Sequence, residues 1–457
     1  MAARVCVVLV TALVASLAGA VPAGALVTHP CPRVPGFGCA TLRVPLDRAG
    51  RLRGTVALRV AVQPPRPGAR GFLLALSGGP GQPAVPFANA FRATLAPLLA
   101  HRRLVVLDQR GTGASGLLRC PALQRLGAID AVGTHTVEAC ARALGPRRQR
   151  YATADSVADI EALRHALGAR RLLLMGISYG TFVATQYARR HPAGTAGLIL
   201  DSTVGPDGVD AYYLDTFARL RRVLTEQCAR GRCAGATADP VADVAAVVAR
   251  LRHGPLRGRV PDARGVLRAT AVHDQGELLL MLMAGDLNPF LQAALPGALA
   301  AARRGDPAPL LRLRRYAEGP PTPARELSGA LNVATTCADI ALPYTFLTPF
   351  ADRWTLWQRG ADAVPTSVFA PFTRDAAVSA SAAHDCLRWP YGDMPTPPST
   401  APLPDVPALI LSGRLDTRTP TENAREVAAQ LPHAQLVTVA GTGHDVLDSD
   451  ITGCATR

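Results

Sequence analysis

Short apolar runs alternate with longer amphipathic stretches along this chain. The run "TVALRVAV" (55–62) alternates apolar and polar positions with period two, the mark of a half-exposed strand. "FLLALS" (72–77), "RLVVLD" (103–108), "RLLLMG" (171–176), "AGLILD" (196–201), "PALILS" (407–412) and "AQLVTVA" (434–440) predict buried strands. Between them, "SVADIEALRHALG" (156–168) places Val157, Ile160, Leu163 and Leu167 on one helical face. "TENAREVAAQL" (421–431) predicts another helix, opened by Pro420 and Thr421. Strands that alternate with helices predict an α/β fold with a mainly parallel central sheet and right-handed crossovers.

The strand series stops between about 206 and 403. That stretch is rich in Ala, Leu and Arg at helical spacing, as in "PFLQAALPGALAAARRGD" (289–306). Proline-rich breaks interrupt it at 319–323 and 395–404, and it shows no strand alternation. It predicts a mostly helical cap inserted before the strand at 407–412. The expected organisation is a signal segment over 1–20, a first core part over 21–205, the cap over 206–403 and a second core part over 404–457. A length of 457 residues suits a core with a large insertion.

Residues 176–180 read "GISYG", a G-x-S-x-G pentapeptide between the buried run 171–176 and the helical pattern "TFVATQYARRH". Glycines at both ends leave room for a sharp strand-to-helix turn, and Ser178 is then held exposed at the carboxyl edge of the sheet. A serine hydroxyl is a weak nucleophile at neutral pH, so it needs a base, and the base needs an orienting acid. The order Ser, acid, His is met downstream. "LILSGRLDTRTP" puts Asp416, and "LVTVAGTGHDVL" puts His444, just beyond predicted strands. Asp201, after "LILD", is the rival acid, and Asp445 is too close along the chain to His444 to orient it. An oxyanion hole needs two preorganised donors. Tyr179 N–H follows the nucleophile, and the Gly-rich "SGGPG" (77–81) offers Gly79 N–H. In "DQRGTGASG" (108–116), Asp108 and Arg110 are expected to pair and to shape the loop beside that hole.

Composition narrows the class. The sequence has no lysine, so its 49 basic residues are all arginine and the net charge is +15. These arginines are scattered and lack interleaved aromatics, which argues against a nucleic-acid partner. The N-terminus has Arg4, an apolar run from Val5 to about Ala18, and Ala18-Gly19-Ala20 at an A-x-A cleavage position. This is a secretory signal pattern, too short to span a membrane comfortably, and the mature chain is expected outside the cytoplasm or at the cell envelope. No later segment is apolar enough to span a membrane, so no integral span is expected after signal removal. Ten cysteines fit export, and without Cys6 nine remain. Sequential pairing of the first eight is the simplest expectation and leaves Cys454 over. The cysteine and histidine spacings match no zinc site, so no metal or other cofactor is expected.

Several separated motifs resemble, in the right order, the prolyl aminopeptidase family of α/β hydrolases, and most closely its secreted actinobacterial branch, the tripeptidyl aminopeptidases. They are "SGGPG" (77–81), "DQRGTGASG" (108–116) followed by Cys120, "GISYGT" (176–181), "LDST" (200–203), "NVATTCAD" (332–339), "CLRWP" (386–390), "LSGRLDTRTP" (411–420) and "GTGHD" (441–445). The resemblance implies an α/β-hydrolase fold and a Ser178–Asp416–His444 peptidase that acts on peptides with a free N-terminus under a helical cap. Such an enzyme must recognise an ammonium group, for which Asp339 and Glu326 are the candidate carboxylates. Two departures stand out. Ser77 replaces the histidine common before Gly-Gly-Pro-Gly in the prolyl branch, which favours the tripeptidyl branch. Relatives also carry a further tail with another cysteine beyond the position of Cys454. A secreted carboxylesterase or lipase on the same triad is the second reading. A catalytically inactive envelope-binding protein is the third.

Overall fold

The computed structural model describes residues 26–450 except 131, 263 and 393–395, so the expected signal segment and Cys454 lie outside the described residues. Eleven strands are described: β1 (His29–Pro30), β2 (Gly38–Pro45), β3 (Thr55–Val62), β4 (Gly71–Leu76), β5 (Arg102–Leu107), β6 (Leu172–Ile177), β7 (Thr195–Asp201), β8 (Leu256–Pro261), β9 (Leu267–Val272), β10 (Ala408–Gly413) and β11 (Ala434–Val439). Nine of them form one sheet in the order β1-β2-β3-β5-β4-β6-β7-β10-β11. From β5 to β11 every neighbouring pair is parallel, and β1 to β3 add an antiparallel edge. The central strands are apolar at nearly every position because helices cover both faces and leave no wet side.

One face packs against the helices Thr153–Ala166 and Tyr179–Arg190, with Val157, Ile160 and Leu163 meeting Leu174 and Leu200. The other packs Leu73, Val106, Met175 and Ile199 under Phe91 and Leu95. In register, Gly176 of β6 lies beside Leu76 of β4, and Ile177 lies beside Asp201 of β7. Ser178 therefore emerges between the carboxyl ends of β4 and β7. No helix among the described residues is long and apolar enough to cross a membrane.

Between β7 and β10 the chain builds a second apolar core around Phe217, Val244, Leu278, Leu299, Trp357 and Phe369. Its helices include Leu214–Gln227, Gln275–Gly285, Pro289–Arg303 and Gly329–Asp339. The stretch also holds an antiparallel pair, β8 with β9, where no strand was expected. The turn between them is closed by the Asp262 carboxylate, which accepts the N–H groups of Arg264 and Val266. Only one face of this ribbon is covered, so exposed Arg257 and Arg259 alternate with buried Leu256 and Val260. Arginine at the exposed positions makes the period-two pattern hard to tell from the Arg-rich helices around it.

Cysteine pairing follows chain order at Cys31–Cys39, Cys228–Cys233 and Cys337–Cys386. Cys120 and Cys140 are not joined; both thiols are buried in one apolar cluster with Leu118 and Val137.

The expected ion pair within "DQRGTGASG" is corrected by the structure. The Asp108 carboxylate is occupied by backbone, accepting from Ala84 N at 2.9 Å, Val85 N at 2.8 Å and Ala114 N at 3.2 Å. It thereby fixes the turn that follows "SGGPG". Arg110 pairs instead with Asp159 of the helix Thr153–Ala166, its Nε at 2.7 Å from Oδ2 and its Nη2 at 2.6 Å from Oδ1. Both side chains are 1% exposed or less. Replacing Arg110 with alanine leaves the buried Asp159 carboxylate with the partly exposed Arg48 alone, whose Nη2 lies 2.6 Å from Oδ1, and chemical denaturation should register a loss of about 3 kcal/mol.

Candidate active site

Ser178 stands where β6 turns into the helix Tyr179–Arg190, with φ 54° and ψ −123°. A non-glycine residue in this region is strained by about 1–3 kcal/mol and persists only where its surroundings enforce it. The enforcement is a close approach of backbone. A Cβ on Gly176 would lie 2.3 Å from the Gly180 carbonyl, and one on Gly180 would lie 2.5 Å from Leu76 O. The Ser178 N–H donates to Asp201 O at 2.9 Å, and Thr181 Oγ1 donates back to Ser178 O at 2.6 Å. The main chain of the half-buried serine is thus pinned on both sides, by a carbonyl and by a threonine hydroxyl.

The loops after β10 and β11 bring Asp416 and His444 together. His444 Nδ1 lies 2.8 Å from Asp416 Oδ2, and both side chains are buried. Asp416 Oδ1 also accepts Arg418 N at 2.9 Å and Thr419 N at 2.8 Å. Thr419 Oγ1 sits 2.7 Å from Asp416 Oδ2 and 3.0 Å from His444 Nδ1, bracing the pair. Burial works to raise the Asp416 pKa, but the charge of His444 and these hydrogen bonds leave it below its usual value. Burial likewise works to lower the His444 pKa, and Asp416 more than reverses it, so the imidazole is more basic than usual. Such a pair holds a proton on Nδ1 and keeps Nε2 as an acceptor. The Ser178 hydroxyl makes no hydrogen bond to a described residue, so it is not bonded to His444 here. Contacts of this kind commonly tighten only when substrate binds.

Asp201 has a different job from the one its position after "LILD" suggested. Its carboxylate accepts Val446 N and Leu447 N, each at 2.9 Å, from the segment after His444. Next to it, Ser202 Oγ accepts Asp445 N at 2.8 Å. The end of β7 therefore ties the serine turn to the histidine loop. Ser202 and Asp445 share the positive φ of Ser178, at 57° and 58°. Three of the strained non-glycine residues thus meet at this junction.

The loop "SGGPG" lies over the serine: a Cβ on Gly78 would be 3.0 Å from Ser178 Cβ. Gly79 has φ +109°, and a Cβ there would press 2.7 Å from Gly81 N. Gly79 N–H donates to no described residue. The helix Gly329–Asp339 braces this loop from the other side, Asn332 Nδ2 donating to Pro80 O at 3.0 Å and Ser328 N to Gly81 O at 3.0 Å. Tyr179 points its buried side chain the other way, its hydroxyl 2.7 Å from Thr153 Oγ1.

Of the two candidate ammonium acceptors, the structure places only Asp339 next to this network. The Asp339 carboxylate takes Thr153 Oγ1 at 2.6 Å, so Asp339, Thr153 and the hydroxyl of Tyr179, the residue after Ser178, form one hydrogen-bonded chain. Burial raises the Asp339 pKa to about 7, against the hydrogen bonds from Thr153. Glu326 is exposed and paired with Arg325 at 3.2 Å. Sequence reasoning missed the role of Thr419, although "DTRTP" contains it, and it missed Asp286 altogether. Asp286 O accepts His444 N at 2.8 Å, and no local motif marks it.

Residues 72–226 match the α/β hydrolase fold family, and residues 370–457 match the TAP-like protein family. The serine protease Hip1 of Mycobacterium tuberculosis is 27% identical, covering 92% of this chain and 84% of the relative. The putative hydrolase YuaR of Escherichia coli is 25% identical over 90% of this chain and 82% of its own length. The tripeptidyl aminopeptidase of Streptomyces coelicolor is 23% identical over 91% of this chain and 79% of its own length. With the parallel sheet and the serine at the strand-to-helix turn, these matches make the chain a serine hydrolase of α/β-hydrolase fold with a TAP-like region over residues 370–457.

Proposed function

We propose that this chain is a secreted serine exopeptidase that cleaves peptide bonds near a free N-terminus through an acyl-enzyme on Ser178. The observation that carries the reading is the buried His444–Asp416 pair at 2.8 Å, on the sheet edge where Ser178 turns out of β6. Peptidase relatives over most of the chain support the substrate class. Three disulfides support an oxidising compartment, in line with the N-terminal signal pattern.

In this mechanism, His444 Nε2 takes the Ser178 proton as Oγ attacks the scissile carbonyl carbon. Tyr179 N–H and Gly79 N–H receive the oxyanion, and the N-terminal end of the helix Tyr179–Arg190 favours that charge. His444 then gives its proton to the leaving amine, the C–N bond breaks, and the acyl group stays on Oγ. Water repeats the sequence and frees the acid. Asp416 holds the imidazole tautomer and stabilises its cationic form. Asp339 is the residue assigned to the substrate ammonium, because it is half-buried and joined to Tyr179 through Thr153. Glu326 is solvated and already paired, which leaves it a poor second.

Four substitutions and a pH profile test this reading. Ser178→Ala should abolish turnover of free-N-terminus peptide arylamides, and Asp416→Asn should lower kcat by about 10⁴-fold. Asp201→Asn should lose less, and the reverse ranking would move the acid. Asp339→Asn should raise KM about tenfold or more for free N-termini and leave N-acetylated or ester substrates unchanged. Indifference of the unsubstituted enzyme to N-terminal blocking would favour an esterase. The unsubstituted enzyme should also gain kcat/KM as pH rises through a pKa above the usual imidazole value, since His444 must be neutral to act and Asp416 makes it more basic. A pH–rate profile on an arylamide measures this.

A further inference from the structure

Among the contacts between the cap and the catalytic loops, one buried carboxylate touches both the acid loop and the histidine loop. Asp286 occupies the corner between the helices Gln275–Gly285 and Pro289–Arg303 and is 2% exposed. Its Oδ2 accepts three donors from the acid loop: Thr417 N at 2.9 Å, Thr417 Oγ1 at 2.5 Å and Arg418 N at 3.0 Å. The same Arg418 N–H lies 2.9 Å from Asp416 Oδ1, so one donor is shared between two buried carboxylates. The Asp286 carbonyl accepts His444 N at 2.8 Å. Gly443 makes that approach possible, because a Cβ there would lie 2.4 Å from Asp286 O. Arg418 Nη2 closes the contact by donating to Met283 O at 2.8 Å.

Resting on the triad reading, we propose that Asp286 is a positioning residue for catalysis: it sets the spacing of the acid and histidine loops and tunes the basicity of His444 by its charge. Three donors on one oxygen favour the ionised carboxylate. The acid loop faces it with Asp416 and Arg418, and the histidine loop faces it with His444. Burial and the Asp416 charge raise the Asp286 pKa to about 7, with Arg418 and Thr417 opposing. The group thus changes charge in the range where His444 works. Ionised Asp286 favours the imidazolium, and neutral Asp286 does not. Removing its charge therefore lowers the His444 pKa and makes the base available at lower pH.

The test is the rate at which a fluorophosphonate labels Ser178 as a function of pH, which reads the serine and histidine whatever the substrate. Asp286→Asn should label more slowly, with its acid limb displaced about one unit toward lower pH. Thr417→Val removes one donor, raises the Asp286 pKa and should move the limb the same way, so it stands in should Asp286→Asn not fold. Asp286→Glu should restore the limb toward its original position. Normal labelling with an unmoved limb in the folded variants would overturn the inference, since lost structure alone lowers the rate without displacing the profile. Absence of labelling in the unsubstituted protein would overturn the triad reading, and this inference with it.

Discussion

The hydrogen bonds at the end of β7 carry the site. Asp201 offers its carbonyl to the serine turn and its carboxylate to the histidine loop, so one residue sets the spacing of two segments more than 240 positions apart in the chain. A carboxylate that accepts two backbone N–H groups in the interior is costly to remove, because its partners would be left unpaired. That cost helps to enforce the positive φ values of Ser178, Ser202 and Asp445, each of which is unfavourable alone. Strain and hydrogen bonding balance within a few residues. The reactive hydroxyl is aimed by the backbone rather than by any contact of its own.

Much of this was legible in the sequence, for identifiable reasons. β4, β5, β6, β7 and β10 are buried on both faces, so their apolar runs mark them to within a residue or so. Ser178 and Asp416 were legible because each follows such a run; His444 follows β11, expected buried but an edge strand that is largely exposed, and a parallel sheet sends the carboxyl ends of its strands to one edge. The ribbon β8–β9 was not, since arginine occupies its wet face in a region where arginine is everywhere. The partner of Arg110 was misread for another reason. Asp108 is close in sequence, but its oxygens are consumed by the turn at Ala84 and Val85, and Asp159 arrives from a helix 49 residues on. Chain proximity says little about which buried charges meet.

Asp286 shows the same limit at longer range. It lies 131 residues before Thr417 and in no motif, and its importance exists only once two cap helices have packed. The segment between β7 and β10 thus touches the candidate site at two ends. At one end Asn332 and Ser328 hold the glycine loop above the serine, and at the other Asp286 holds the acid and histidine loops. In the proposed mechanism, charge acceptor and base therefore both rest on residues of that segment.

This double anchorage has a consequence for how activity appears as the chain folds. A sheet that has formed without its cap has the serine in place, since that turn is enforced from within the core. It lacks the outer support of the glycine loop, and its histidine loop has lost a backbone partner. A complete site therefore requires the helices between β7 and β10 to be packed on their own core around Trp357 and Phe369. The site is thus a product of two cores packed together rather than of the sheet alone.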